Sequence, residues 1–156
     1  MRWTVQEIAR ALRAPLPAAA DPVARVAGVS IDSRTMAPRQ LFVAIQGTRH
    51  DGHQYVEAAL QAGALAAIVA ERRVAEYGNS VRGKLIGVPD TLVALQELAR
   101  AVRRAWGRRI AAVTGSVGKT TTKEILAALL GAKFRVLKSE GNLNNEYGLP
   151  LALLRL

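Results

Sequence analysis

The chain contains no cysteine. Disulfides, thiolate metal sites and a cysteine nucleophile are therefore excluded. It has only two histidines, His50 and His53, three residues apart. With no further histidine or cysteine to complete the usual ligand set, the pair does not read as a zinc site. Aromatic residues make up just 4% of the sequence, and Trp106 is the one ring among the arginines between Arg100 and Arg109. Single-strand nucleic-acid binders combine a basic groove with several stacking rings, so this scarcity argues against that class. No apolar run reaches the ~18 residues of a membrane span. The N-terminus lacks the apolar region of a secretory leader, and a cytoplasmic protein is the expectation.

What is present suits a packed protein. Half of the 156 residues are hydrophobic, enough for one domain or two small ones. The net charge is +10, divided as +3 over residues 1–83 and +7 over residues 84–156. Such a balance fits acidic small molecules such as nucleotides as well as it fits nucleic acid. The arginines between 100 and 109 have a simpler origin. Leu92, Leu95, Ala99, Val102 and Trp106 repeat at helical spacing, while Glu97, Arg100 and Arg104 fall on the other side, so the run reads as a solvated helix face.

In chain order, Thr4 and Glu7 form a capping box that opens a helix, with Trp3 and Ile8 at the staple positions. Strands are expected over 26–31, 41–45, 65–70 and 85–88. A helix over 54–62 would turn Tyr55, Val56, Ala59 and Leu60 inward and stop at Gly63. Two polar loops stand out, one at Asp32-Ser33-Arg34-Thr35 and one over 46–53. Later come a strand over 110–113, a helix over 119–130, a strand over 134–137, a polar loop over 138–145, and Pro150 early in a last helix.

The segment Thr114-Gly115-Ser116-Val117-Gly118-Lys119-Thr120-Thr121 carries the chemistry. An apolar strand, a glycine-containing turn and a helix start follow one another, the order that phosphate binding needs. Backbone N–H groups turned inward can hold anionic oxygens, and a helix N-terminus adds about half a unit of positive charge there. Gly115 and Gly118 permit the turn and the close approach. Lys119 would reach the β- and γ-phosphates, and the Thr120 hydroxyl would ligate Mg²⁺. The usual spacing puts a glycine where this chain has Val113.

Residues 113–124 resemble the ATP loop of the Mur ligases, the amide-forming enzymes of peptidoglycan synthesis, a family that lacks that first glycine. Ser30-Ile31-Asp32-Ser33-Arg34, Leu41-Phe42-Val43-Ala44 and Gly47 with Asp51-Gly52-His53 resemble its N-terminal domain. Gly141-Asn142-Leu143-Asn144-Asn145 and the apolar stretch after it resemble the D-alanyl-D-alanine-adding branch (MurF type). Ser116-Val117 and Lys123-Glu124 point the same way, against the branch that adds the third amino acid. One departure is Pro38-Arg39-Gln40, where the family has glycine after the proline.

The resemblance implies an α/β fold: a small N-terminal α/β substrate-binding domain over 1–83, then the start of a P-loop ATPase-type α/β domain over 84–156, with a boundary near residues 82–84. It covers about the first third of such a ligase, so the second domain is expected to be truncated and the chain alone inactive. The implied substrates are ATP with Mg²⁺, UDP-N-acetylmuramoyl-tripeptide and D-Ala-D-Ala. Transfer of the γ-phosphate to the peptide carboxylate would give an acyl phosphate that the D-Ala-D-Ala amine attacks. Residues 114–121 would hold the nucleotide, with Lys119 and Thr120 in the catalytic roles.

Ser30, Asp32, Ser33 and Arg34 would hold the uridine diphosphate, with Arg34 as the phosphate contact. The alternative at that loop is that Asp32 and Arg34 only pair across a turn. His53 is expected to shape its loop or to contact substrate, and Asn142 and Asn145 are further substrate-contact candidates, although asparagine is also routine in turns. Three readings of the whole chain stay open: part of such a ligase, a non-catalytic UDP-sugar or nucleotide-binding module, and a basic nucleic-acid binder.

Overall fold

The computed structural model describes residues 3–47, 50–139 and 145–156. The opening helix α1 (Val5–Ala11) forms as its cap dictates. The Thr4 hydroxyl accepts the Glu7 N–H at 3.2 Å, and the Glu7 carboxylate accepts the Thr4 N–H at 2.8 Å. Val5, Ile8 and Ala9 are buried on its inner face.

Four strands, β1 (Val29–Ser30), β2 (Leu41–Val43), β3 (Ala66–Ala70) and β4 (Leu85–Val88), form one parallel sheet in sequential order. Successive side chains alternate between two cores. Leu41, Val43, Ala66, Ile68, Ile86 and Val88 join the core beneath α1, while Phe42, Ala44, Ala67, Val69 and Leu85 join the opposite one. Burial on both faces is why these strands read as unbroken apolar runs rather than as an alternation.

The strand expected over 26–31 pairs at only two residues. Its first part bonds elsewhere: the Val26 N–H donates to the Trp3 carbonyl and the Ala27 N–H to that of Arg39, both at 2.9 Å.

The β2–β3 crossover holds a 3₁₀ turn (Gly52–Tyr55) and α2 (Val56–Gln61). Val56 and Ala59 are buried as expected, but Tyr55 is exposed. The tighter 3₁₀ winding before α2 puts Tyr55 out of phase with the inner stripe. The β3–β4 crossover holds a second 3₁₀ segment (Glu71–Glu76) and α3 (Asn79–Arg82).

Helix α4 (Thr91–Trp106) is capped by Asp90, whose Oδ1 accepts the N–H groups of Leu92 and Val93 at 2.8 and 3.0 Å. It ends at Gly107 in the left-handed region, φ 65°. Leu95, Ala99 and Val102 are buried, joined by Ala94 and Leu98, whereas Arg100 and Arg104 face solvent.

The expected boundary near 82–84 falls inside this unit, so the 1–83 and 84–156 division does not hold. The Gly83 carbonyl accepts the Ala19 N–H at 2.7 Å, the Lys84 carbonyl accepts the Ala67 N–H at 3.0 Å, and β4 pairs with β3. Cutting there would strip the sheet of an edge strand and of α4, which fills the core under it.

Two further helices follow, α5 (Lys119–Gly131) and α6 (Gly148–Leu153). Helix α6 lies on α4: Leu154 is buried, Tyr147, Leu151 and Leu153 pack against the same core, and Gln96 Nε2 donates to the Glu146 carbonyl at 3.1 Å. Helix α5 has no buried residue.

The segments 110–113 and 134–137, both expected as strands, join no ladder among the described residues. Ile110, Phe134, Val136 and Leu137 are exposed there. A parallel strand exists only through hydrogen bonds to its neighbours, and no described strand flanks either segment.

Candidate phosphate loop and candidate substrate cleft

The candidate phosphate loop is built by two glycines and one helix start. Gly115 has φ 145° and Gly118 has φ 78°, and Gly118 is the N-cap of α5. At Gly118 a Cβ would meet nothing within 4 Å, so the requirement there is conformational, a left-handed turn that leaves open space. The first helical bond of α5 runs from the Thr122 N–H to the Gly118 carbonyl at 2.9 Å. The N–H groups of the preceding turn are thereby left to the loop side.

Lys119 bends back over the loop, its Nζ on the Gly115 carbonyl and 3.5 Å from that of Ser116. Thr114, Ser116, Val117, Thr120 and Thr121 are all exposed on the same turn. An ammonium, free N–H groups and two exposed hydroxyls at one helix N-terminus fit a phosphate chain, so the residues present suit a nucleotide. Among the described residues no group of three His, Asp or Glu is placed to hold a metal. On this chain the protein's share of a Mg²⁺ shell would come from the Thr120 hydroxyl.

On the sheet side, Ser30 and Asp32 shape a tight turn. The Ser30 hydroxyl donates to the Asp32 carbonyl at 3.0 Å and accepts the Asp32 N–H at 3.1 Å. Asp32 and Arg34 do pair across the turn: Nε donates to Oδ1 at 2.9 Å, Nη2 to Oδ2 at 2.7 Å, and the Arg34 N–H to Oδ1 at 3.0 Å. The side-chain hydrogen bonds from Arg34, then its N–H, hold the Asp32 carboxyl at about 2. Ser33 sits half-buried in the same turn.

The Arg34 side chain nevertheless keeps 85% of its surface open. Ser30, Asp32, Thr35 and Gln40 line one side of a cleft of about 660 Å³, and Leu151, Leu154 and Arg155 line the other. Residues far apart in sequence therefore share this cleft, whereas the phosphate-loop residues 114–121 are not among its walls.

His53 is elsewhere. Its side chain is 1% exposed, with Nδ1 2.7 Å from Asp51 Oδ1 and Nε2 accepting the Ala70 N–H at 3.0 Å. Because Nε2 is an acceptor, the ring carries its proton on Nδ1, which donates to Asp51. Both nitrogens are used inside the protein, which matches the loop-shaping one of the two roles expected for this imidazole.

Asp51 also pairs with Arg73, and the Tyr77 hydroxyl donates to the His53 carbonyl at 2.9 Å. Burial alone would raise the Asp51 carboxyl. The His53 N–H, the His53 ring and Arg73 outweigh that and hold it at about 2. Sequence reading missed Arg73 and Tyr77. Arg73 also pairs with nearby Glu76, but the partners that matter here, Asp51 and His53, lie over 20 residues away.

Asn145 serves a turn: its Oδ1 accepts the Gly148 N–H at 2.8 Å, and its carbonyl accepts that of Leu149 at 3.2 Å. Asn142 lies outside the described residues. Lys123, one turn along α5 from Lys119, donates from Nζ to the Ser139 carbonyl at 2.8 Å. Glu124 pairs with Lys138, whose ammonium lowers the Glu124 carboxyl.

This chain matches two family models, one described as Mur ligase family, catalytic domain, over residues 25–103, and one described as Mur ligase middle domain, over residues 113–156. It belongs to the Mur ligase family. A UDP-N-acetylmuramoyl-tripeptide–D-alanyl-D-alanine ligase from Bacillus subtilis is 42% identical over 99% of this chain and 33% of its own length. Among solved structures, a MurF from Acinetobacter baumannii superposes with a TM-score of 0.85 at 32% identity, covering 100% of this chain and 33% of that one. A MurF ligase from Thermotoga maritima in complex with ADP matches with a TM-score of 0.70 at 42% identity, over 81% of this chain and 28% of its own. The chain spans about a third of the length of these Mur ligases.

The two matched stretches leave residues 104–112 between them. Among the described residues no helix is long and apolar enough to cross a membrane.

Proposed function

We propose that this chain is the nucleotide- and UDP-sugar-binding part of a cytoplasmic, ATP-dependent ligase of peptidoglycan precursor synthesis. The reaction would join D-Ala-D-Ala to UDP-N-acetylmuramoyl-tripeptide. The observation that carries the reading is the left-handed Gly118 at the start of α5, with Lys119 and Thr120 behind it, in a chain similar along its length to proteins named for that reaction. Its working division places residues up to Trp106 in a substrate-side unit and residues from 113 onward in the nucleotide side.

A carboxylate is a poor acyl donor, and ATP supplies the phosphoryl group that turns it into one. Phosphoryl transfer leaves the protein mostly positioning and charge neutralisation. Residues 114–118 would wrap the phosphates with backbone N–H groups. Lys119 would exchange its loop carbonyls for phosphate oxygens and neutralise charge that builds there. The Thr120 hydroxyl would face Mg²⁺, with Thr121 a further hydroxyl on the turn.

Ser30 and Asp32 would face the uridine diphosphate at the cleft, and Ser33 and Arg34, on the same turn but outside the cleft walls, would meet its edge, with Arg34 as the cation and Asp32 holding its fork in place. His53 would act by fixing the end of the loop after β2, and Asn145 by starting α6.

Titration with UDP-N-acetylmuramoyl-tripeptide, followed by calorimetry, tests the substrate side. The expected result is binding that Arg34→Ala weakens about tenfold, the worth of one charge-assisted hydrogen bond. Binding unaffected by that change would remove Arg34 from the site. A chain that binds MgADP but no UDP-sugar would be a nucleotide-binding module instead.

A further inference from the structure

Lys119 and Lys123 are four residues apart on α5, which puts them on one helix face. Each ammonium holds a backbone carbonyl, but of different segments. Lys119 holds Gly115 and Ser116 of the phosphate loop, and Lys123 holds Ser139, sixteen residues further on. The neighbouring residue doubles the second tie, because Glu124 lies between two ammoniums, at 3.6 Å from Lys123 and in contact with Lys138. Lys123 keeps only 20% of its side chain exposed, far less than the Glu124–Lys138 pair. These are the side-chain ties that fasten 138–139 to α5 among the described residues, since no strand ladder holds that segment.

We propose that Lys123, seconded by Glu124, is a positioning residue that couples the seating of nucleotide at the phosphate loop to the placement of the segment ending at Ser139. The proposal rests on the nucleotide reading of the loop given above and adds to it a role for two residues outside the phosphate cradle. When phosphate draws Lys119 off its loop carbonyls, the first turns of α5 become fixed by the ligand. Segment 134–139 is fixed with them, because Lys123 and Glu124 stand one turn further along the same rigid helix. The tie acts through position alone: Lys123 reaches the Ser139 backbone, so any side chain at 139 leaves it intact, whereas a shorter or neutral side chain at 123 removes it.

The test is amide hydrogen exchange of the 156-residue chain with and without MgADP, for the wild type, Lys123→Met and Lys123→Arg. In the wild type, MgADP slows exchange at least threefold both at 119–122 and at 134–139. Lys123→Met keeps the slowing at 119–122 and an ADP affinity within threefold, but reduces the slowing at 134–139 to under half, the Glu124–Lys138 pair being what remains. Lys123→Arg, which can still reach the carbonyl, retains it. A merely structural lysine would loosen 134–139 equally with and without nucleotide, leaving the ADP-dependent change intact, and that result overturns the proposal. Nucleotide that slows 119–122 in the wild type but not 134–139 overturns it as well, while leaving the nucleotide reading standing. If MgADP changes neither segment, the nucleotide reading falls and the coupling falls with it.

Discussion

The Arg39 N–H donates to the Gly63 carbonyl at 2.8 Å, and both residues are in the left-handed region, at φ 66° and 98°. Two left-handed turns meet there, one before β2 and one after α2. Glycine takes this conformation freely, whereas arginine pays about 1 kcal/mol for it. The family glycine that this chain replaces after Pro38 thus has a backbone reason.

Arg39→Gly should therefore stabilise the chain, by about 0.5 kcal/mol once the greater freedom of glycine in the unfolded state is subtracted. Arg39→Val should destabilise it by about 1–2 kcal/mol. Urea denaturation of the three chains checks the order.

Gly52 is fixed by space rather than by φ. A Cβ there would lie 2.8 Å from both the N and the O of Ile45, backbone atoms that cannot swing away. Gly52→Ala should cost about 2–4 kcal/mol, in the range of overpacking that moves backbone, seen as a lowered denaturation midpoint. Gly78→Ala, where a Cβ meets nothing within 4 Å, is the control and should change little.

The half-buried cluster around Asp51 predicts an acid limb. Its folded carboxyl is held at about 2, below the ordinary value of 3.8. A carboxylate depressed on folding stabilises the native state above its unfolded pKa, and that contribution is lost as pH falls through the folded one. Stability should thus decline between about pH 4 and pH 2, and Asp51→Asn should flatten that limb while lowering stability at pH 7. Denaturation midpoints across pH 2–7 check both.

His53→Ala should cost about 2–4 kcal/mol, because it opens a cavity and strands the buried Ala70 N–H. His53→Gln, which can still accept from Ala70, should lose less. Affinity for UDP-sugar should follow stability in both variants instead of vanishing, since the ring faces inward. Loss of binding by a fully folded His53→Gln would return the side chain to the substrate list.

Local signals were the legible part of this fold. The Thr4–Glu7 box, the stripe of α4 and the apolar strands all act between near neighbours in sequence or along one periodicity. The glycine turn before α5 was readable for the same reason, because glycines, lysine and threonine are consecutive. His53 was not, since its roles depend on Ala70 and on an Asp51 shared with Arg73, pairings that appear only when the crossovers fold. Segments 110–113 and 134–137 carried strand composition but have no flanking strand among the described residues. Composition states a preference, and a ladder needs a partner. At the boundary expected near 82–84, the Gly83 and Lys84 carbonyls accept the N–H groups of Ala19 and Ala67, pairings between residues far apart in sequence that no local pattern announces.

The central claim is that residues 114–121 seat a nucleotide phosphate chain, and Lys119 tests it most directly. Titrating the chain with MgADP while following the backbone amide resonances of Gly115, Gly118 and Thr120 should show saturable shifts at those positions. Lys119→Ala should weaken the affinity at least tenfold with the fold unchanged, as expected when a charged phosphate contact is lost. Equal affinity in the variant, or shifts confined to residues away from the loop, would contradict the account.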